Sequence, residues 1–97
     1  MKLVTENSIN AFYNDAKGTF GGNTRVEVQE NGVTKLFLFE NLIAVKDNGV
    51  VKITDAGWQS NTTKERLNGL HGVHIKQKNF EWFLNGEEWN GNWKQIN

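Results

Sequence analysis

Five Asn-Gly pairs, at 31–32, 48–49, 68–69, 85–86 and 90–91, punctuate a chain with no proline, and they decide most of what it can fold into. Between two strands, Asn-Gly supplies the two left-handed residues of a tight hairpin turn, and the residues around it then read as paired strands. Residues 24–29 alternate, with Val26 and Val28 on one face and Arg25 and Glu27 on the other. Asn31-Gly32 turns the chain into 33–40, and 42–47, Asn48-Gly49 and 50–54 repeat the pattern as a second hairpin. Leu36-Phe37-Leu38-Phe39 is apolar on both faces, which places that strand in the middle of its sheet. Residues 73–78 and 80–84 form a last pair, with Phe80, Trp82 and Leu84 on one side.

The hydrophobic period changes twice. Ile9, Phe12, Tyr13 and Ala16 fall at i, i+3, i+4 and i+7, which predicts a helix over 8–17 capped by Ser8 or Asn7 and stopped by Gly18. Residues 1–7 read as a short strand or an arm. A second, shorter helix is expected over 61–68, with Thr62 and Glu65 as a capping box, Gly69 as the stop, and Thr63, Leu67 and Leu70 facing inward. The order α-β-β-β-β-α-β-β predicts an α+β fold: an antiparallel meander of five or six strands with both helices on one face. No linker or repeat divides residues 1–97, so a single domain is expected. Its predicted core is Phe37, Phe39, Ile43, Val45, Ile53, Leu67, Ile75 and Trp82.

Several chemistries find no support. Eleven basic and eleven acidic residues cancel, so no global field steers the chain to nucleic acid or an anionic membrane. With no cysteine there is no disulfide, thiolate nucleophile or finger-type zinc site, which suits a reducing cytoplasm. No apolar run approaches the ~20 residues of a membrane span. Thr5-Glu6-Asn7 interrupts Met1-Lys2-Leu3-Val4 before a signal-peptide core can form. His71 and His74 have no third ligand nearby, so no metal is expected. The carboxylates Asp47, Asp55, Glu87 and Glu88 lie in or beside turns, and neighbours such as Glu87 and Glu88 on a strand point to opposite faces. There is no phosphate loop and no nucleophile elbow. No catalytic residue and no cofactor is expected, and the chain reads as a protein that binds.

Two places could do the binding. Trp58 precedes a hydroxyl-rich helix start, Ser60, Thr62 and Thr63, where free N–H groups favour an anion, and Lys64 and Arg66 add cations. Lys76 and Lys78, alternating on the next strand, extend the same basic surface or guard a sheet edge. The ordinary reading of the segment is a capped helix with its basic residues in water. The second place is the tail, where Trp89 and Trp93 sit among Gly and Asn with few neighbours to bury them, which predicts a contact with a ligand, a partner or another copy of the chain.

The chain resembles a family of small tailed-phage proteins of unknown function. The resemblance rests on Asn23-Thr24-Arg25-Val26, Leu42-Ile43-Ala44-Val45, Gly57-Trp58, Thr62-Thr63-Lys64-Glu65-Arg66-Leu67-Asn68, Trp82-Phe83-Leu84-Asn85-Gly86 and Trp89-Asn90-Gly91, with Ser60 where relatives carry Thr. It spans about 20–95 and leaves the first helix outside. It implies phage origin and the same fold, and the host cytoplasm is the expected location. Three readings follow. The first is a counter-defence factor that binds a host immune protein or sequesters its phosphate-bearing nucleotide signal; the others are a small nucleic-acid-binding accessory protein and a structural module of the virion.

Overall fold

The computed structural model describes residues 2–97. The first helix, α1, runs over Leu3–Tyr13, five residues ahead of the expected start. Its buried stripe is Thr5, Ser8, Ile9 and Phe12, at the helical spacing i, i+3, i+4, i+7. Half of that stripe is hydroxylic, so a search for apolar periodicity does not see its first turn. Ser8 does not cap the helix; its hydroxyl donates to the Thr5 carbonyl inside it. The stretch read as a strand or arm is therefore helical from Leu3, and Met1 lies outside the described residues. The helix ends at Asn14, whose amide donates to the Asn10 carbonyl, and Asp15 takes a left-handed φ of 54°. Ala16 is exposed, and Gly18 opens a strand instead of closing the helix.

Strands β1 (Gly18–Phe20), β2 (Thr24–Val28), β3 (Thr34–Leu38), β4 (Asn41–Asp47) and β5 (Val50–Ile53) follow, joined in sequence as an antiparallel meander. After β5 come α2 (Asn61–Leu67), β6 (Ile75–Lys78), β7 (Glu81–Leu84), β8 (Glu87–Glu88) and β9 (Lys94–Gln95). Strand β9 returns to pair with β5, giving a six-stranded sheet in the order β1-β2-β3-β4-β5-β9. Strands β6, β7 and β8 form a separate three-stranded sheet. The α+β class, the antiparallel pairing and both helices stand as expected, while the last strand pair leaves the main sheet and gains a partner of its own.

Two-residue hairpins behave as the Asn-Gly rule requires at Asn48-Gly49, where Asp47 pairs with Val50, and at Asn85-Gly86, where Leu84 pairs with Glu87. Two further hairpins of the same length contain no glycine. Phe39-Glu40 joins Leu38 to Asn41 with φ values of 50° and 65°, and Asn79-Phe80 joins Lys78 to Glu81 with 52° and 67°. These turns move an expected core residue and an expected strand residue to the surface: Phe39 is 61% exposed and Phe80 93%. The inward face of β3 is consequently Thr34, Leu36 and Leu38, with the chain slipping register between Leu36 and Phe37. Phe37 is only half-buried and lies beneath the Arg25 guanidinium, 4.2 Å from the ring centroid. Val45 is likewise half-buried.

One apolar core runs through both sheets. Ile9 and Phe12 of α1 meet Val26, Leu36, Leu38, Ile43 and Ile53 of the large sheet, then Leu67, Leu70 and Val73, then Ile75, Trp82 and Leu84 of the small one. Helix α1 packs on β1–β3, and α2 packs on β4 and on α1. Asn68 couples α2 to the small sheet, its amide bonding both the N–H and the carbonyl of Ile75.

Candidate functional site

The helix start predicted to recognise an anion is occupied from within. Ser60 is the N-cap and accepts the Thr63 N–H at 3.1 Å, so the cap is Ser60–Thr63 and not a Thr62–Glu65 box. Thr63 is buried and faces inward with Leu67, while Thr62 and Lys64 are half-buried. Arg66, expected as a surface cation on either reading of the segment, is only 2% exposed. Its guanidinium donates to Thr24 at 3.0 Å, to Thr5 at 2.7 Å, to Glu65 at 2.7 Å and to Asn23 at 3.3 Å. Thr5 in turn donates to Glu65. The arginine ties α1, α2 and β2 together and presents nothing to solvent. A buried guanidinium needs all these acceptors, and linear spacing gives no sign of them because most come from segments remote in the chain.

The other predicted residues separate too. Trp58 is 68% exposed. Lys76 and Lys78 are exposed on β6, an edge strand of the small sheet that supplies no partner to Arg66. Trp89 is buried within its own chain, its indole N–H donating to the Asn92 carbonyl and its ring 6.2 Å from that of Trp82. That burial removes the argument for Trp89 as an interface residue. Trp93 remains 50% exposed.

What the fold does assemble is a pair of joined depressions along one side. The larger, about 720 Å³, is lined by Asp55, Gln59, Phe80, Glu81, Trp82, Glu88, Trp89 and Asn90. The smaller, about 210 Å³, is lined by Leu38, Phe39, Ile43, Asp55, Trp58 and Thr63. Asp55 borders both. It is buried to 5% exposure, and its Oδ1 accepts the Gly57 N–H at 2.6 Å. Its backbone N–H donates to the Gly91 carbonyl, which also accepts from the Thr54 hydroxyl at 2.6 Å. Gly91 has φ +92°, and a Cβ there would overlap the Asp55 carboxylate. Asn90-Gly91 is thus a clasp between the tail and the end of β5, not a hairpin.

The electrostatics of the larger cleft are negative. Glu81 and Glu88 lie diagonally on one face of the β7–β8 ribbon, since Phe83 pairs with Glu88. The Glu88 carboxylate, hydrogen-bonded to Glu81, holds the Glu81 carboxyl above the ordinary carboxylate range, and its charge adds to the effect. This pair was invisible in the sequence, where attention falls on the adjacent Glu87 and Glu88. The signal that could have found it is the Asn85-Gly86 turn, which sets 83 opposite 88. Among the described residues no three His, Asp or Glu side chains are placed to hold a metal ion, and no helix is long and apolar enough to cross a membrane.

The fold is thus a small α+β domain with exposed aromatics and carboxylates bordering its clefts. The chain belongs to the Kyanoviridae Gp96 protein family, a family of tailed-phage proteins whose model matches residues 1–96. The match takes in the first helix, which the resemblance read from the sequence had left out. No curated protein and no solved structure matches the chain.

Proposed function

We propose that this phage protein is a non-enzymatic accessory factor that acts in the host cytoplasm by binding a host protein, a component of the cell's defences, and so blunting it. The observation that carries the reading is the set of three exposed aromatics around the joined clefts: Phe39, Trp58 and Phe80, each on a different loop, at 61%, 68% and 93% exposure. Large aromatics in this state contribute nothing to the core and are the residue type that anchors protein interfaces.

The backbone adds weight. Phe39 and Phe80 occupy left-handed turn positions where glycine is the cheap choice, and such strain at a bulky residue points to a selected side chain. Phosphate-bearing ligands fit less well, because Arg66 is sequestered and the cleft lining carries Asp55, Glu81 and Glu88. A host protein, rather than its nucleotide signal or a nucleic acid, is therefore the partner proposed.

Phages carrying the parent gene, a deletion, or the triple change Phe39→Ser, Trp58→Ser and Phe80→Ser provide the test, plated on hosts that differ only in their defence systems. The reading requires the deletion and the triple variant to lose plating equally, and only on a defended host. Parent-like plating of the triple variant on every host where the deletion fails would reject the aromatic rim as the working surface.

A further inference from the structure

The smaller cleft has a shape and a chemistry that narrow what enters it, on the reading that the protein works by binding a host protein. We infer that the crevice between Phe39 and Trp58 receives one large uncharged apolar side chain, of the leucine, methionine or phenylalanine kind, projecting from that partner.

The walls are exposed but not loose. Phe39 and Trp58 line the crevice from different segments, one from the β3–β4 turn and the other from the loop before α2, and both rings face solvent. The Phe39 N–H donates to the Asn23 carbonyl at 2.8 Å. In the other loop the Ala56 N–H donates to the Thr54 hydroxyl and the Gly57 N–H to Asp55 Oδ1. The Trp58 N–H donates to the Asp55 carbonyl and the Ser60 N–H to the Trp58 carbonyl. Amides tied down in this way fix the backbone under both rings before a partner arrives, so little ordering entropy is lost when one does. Leu38, Ile43 and Thr63, all nearly fully buried, close the bottom, where β4 packs on α2.

Size and charge decide the guest. A volume of about 210 Å³ lies below the roughly 300–1,000 Å³ of small-molecule sites, which suits one side chain and not a nucleotide. Among the described residues no cation lines the crevice, so an anionic guest finds no counter-charge. Asp55 is the acid in the lining, and both its oxygens are turned elsewhere: Oδ1 accepts the Gly57 N–H and Oδ2 lies against Gly91. The Thr63 hydroxyl is paired with that of Ser60 at 3.0 Å. A charged or hydrogen-bonding guest would give up its water without gaining a partner at the bottom, a cost that an apolar side chain escapes. Asn41 also lines the crevice; it is exposed, which suits it to the polar backbone beside the guest. Walls without available charge are complementary to an uncharged residue, and an apolar anchor seated against aromatic rings is how interface hot spots are built.

The probes are the capped tripeptides Gly-Leu-Gly and Gly-Phe-Gly, with Gly-Gln-Gly, Gly-Lys-Gly and Gly-Glu-Gly as controls, followed by NMR at the Trp58 indole N–H and the Phe39 amide. The leucine and phenylalanine peptides are expected to shift both signals saturably and to give intermolecular NOEs to the Phe39 and Trp58 rings. Added salt should not weaken them, since no charge is paired. Phe39→Ser, read at Trp58, should weaken binding about tenfold, the scale of losing an interface anchor, and Phe39→Leu should keep most of it. Phe80→Ser, which changes the other cleft, should leave binding unaltered. Both positions are exposed, so these variants should fold as the parent does. Shifts that are absent, equal for the glutamine peptide, or unchanged in Phe39→Ser would overturn the inference. Trp58 signals that move with protein concentration alone would overturn it too, by giving the crevice to a second copy of the chain. If the peptides fail while the aromatic triple variant still loses plating on a defended host, the crevice falls and the proposed function stands. If the peptides bind while the triple variant plates like the parent, the crevice stands and the proposed function falls.

Discussion

Replacing Arg66 with alanine removes four hydrogen bonds at once and leaves Glu65, Thr5, Thr24 and Asn23 facing a void. At about 0.5–1.5 kcal/mol net for each bond, the loss sums to roughly 2–6 kcal/mol. Breaking a buried ion pair by deleting one partner independently costs about 3–5 kcal/mol, because the other charge stays behind. The two routes agree on about 3–5 kcal/mol, a large share of the roughly 5–15 kcal/mol that holds a domain of this size together. At about 4–8 °C per kcal/mol, Tm should drop by at least about 12 °C. Urea denaturation followed by Trp fluorescence reads the same loss, since Trp82 and Trp89 are buried. The midpoint should fall while the slope with denaturant stays constant. Arg66→Lys keeps the charge but cannot reach four acceptors from one nitrogen, so it should fall between the parent and alanine. The pair Glu65→Gln with Arg66→Met leaves no uncompensated charge and should recover part of the deficit. An alanine variant that melts within a few degrees of the parent would refute the reasoning: Arg66 would then be a solvated surface residue, as the sequence suggests.

Phe80→Gly should stabilise the fold by about 0.5–1 kcal/mol by releasing a left-handed turn, while abolishing partner binding; calorimetry and the plating assay together check it. Gly91→Ala should cost several kcal/mol or prevent folding, measured by circular dichroism, because its Cβ meets the Asp55 carboxylate at a φ of +92°. Asp15 is held below the ordinary carboxylate range, first by the Thr34 hydroxyl and then by Lys46, so its stabilisation is present above its unfolded pKa and is lost as pH falls through the lowered folded value. Asp15→Asn should therefore lower Tm at neutral pH and flatten the acid limb of the stability curve. Glu81 has the opposite sign. Its raised folded pKa means stability declines as pH rises between the unfolded and folded values, so Glu81→Gln should raise Tm at neutral pH and leave it unchanged in acid.

The meander was legible because Asn48-Gly49 and Asn85-Gly86 carry their turn geometry in their composition, and because Val26, Ile43, Ile53 and Leu84 recur at strand spacing. Legibility failed where the chain adopts a conformation that its residues do not advertise. Phe39-Glu40 and Asn79-Phe80 are turns without glycine, and reading them as strand put Phe39 in the core and Phe80 on the face of Trp82. Thr5 and Ser8 hid the first turn of α1 because polar residues there do an apolar residue's packing. Of the candidate site, Trp58 was visible as an aromatic beside a helix start. Burial of Arg66 and Trp89 was not, since both depend on contacts with residues remote in sequence or on how the tail folds back.

The placement of the aromatic rim on tight turns separates two demands that usually compete. Phe39, Trp58 and Phe80 project from loops, whereas the core is carried by other residues, most of them on the strands and helices, so each set can change without disturbing the other. A residue exposed at 93% can be exchanged for almost any other at a cost within about 0.5 kcal/mol, and at a left-handed turn some exchanges even lower the energy. The protein can thus sample new contact surfaces at nearly constant foldedness. In a contest where the partner's surface also changes, recognition can be revised one side chain at a time without the intermediate variants ever becoming unstable.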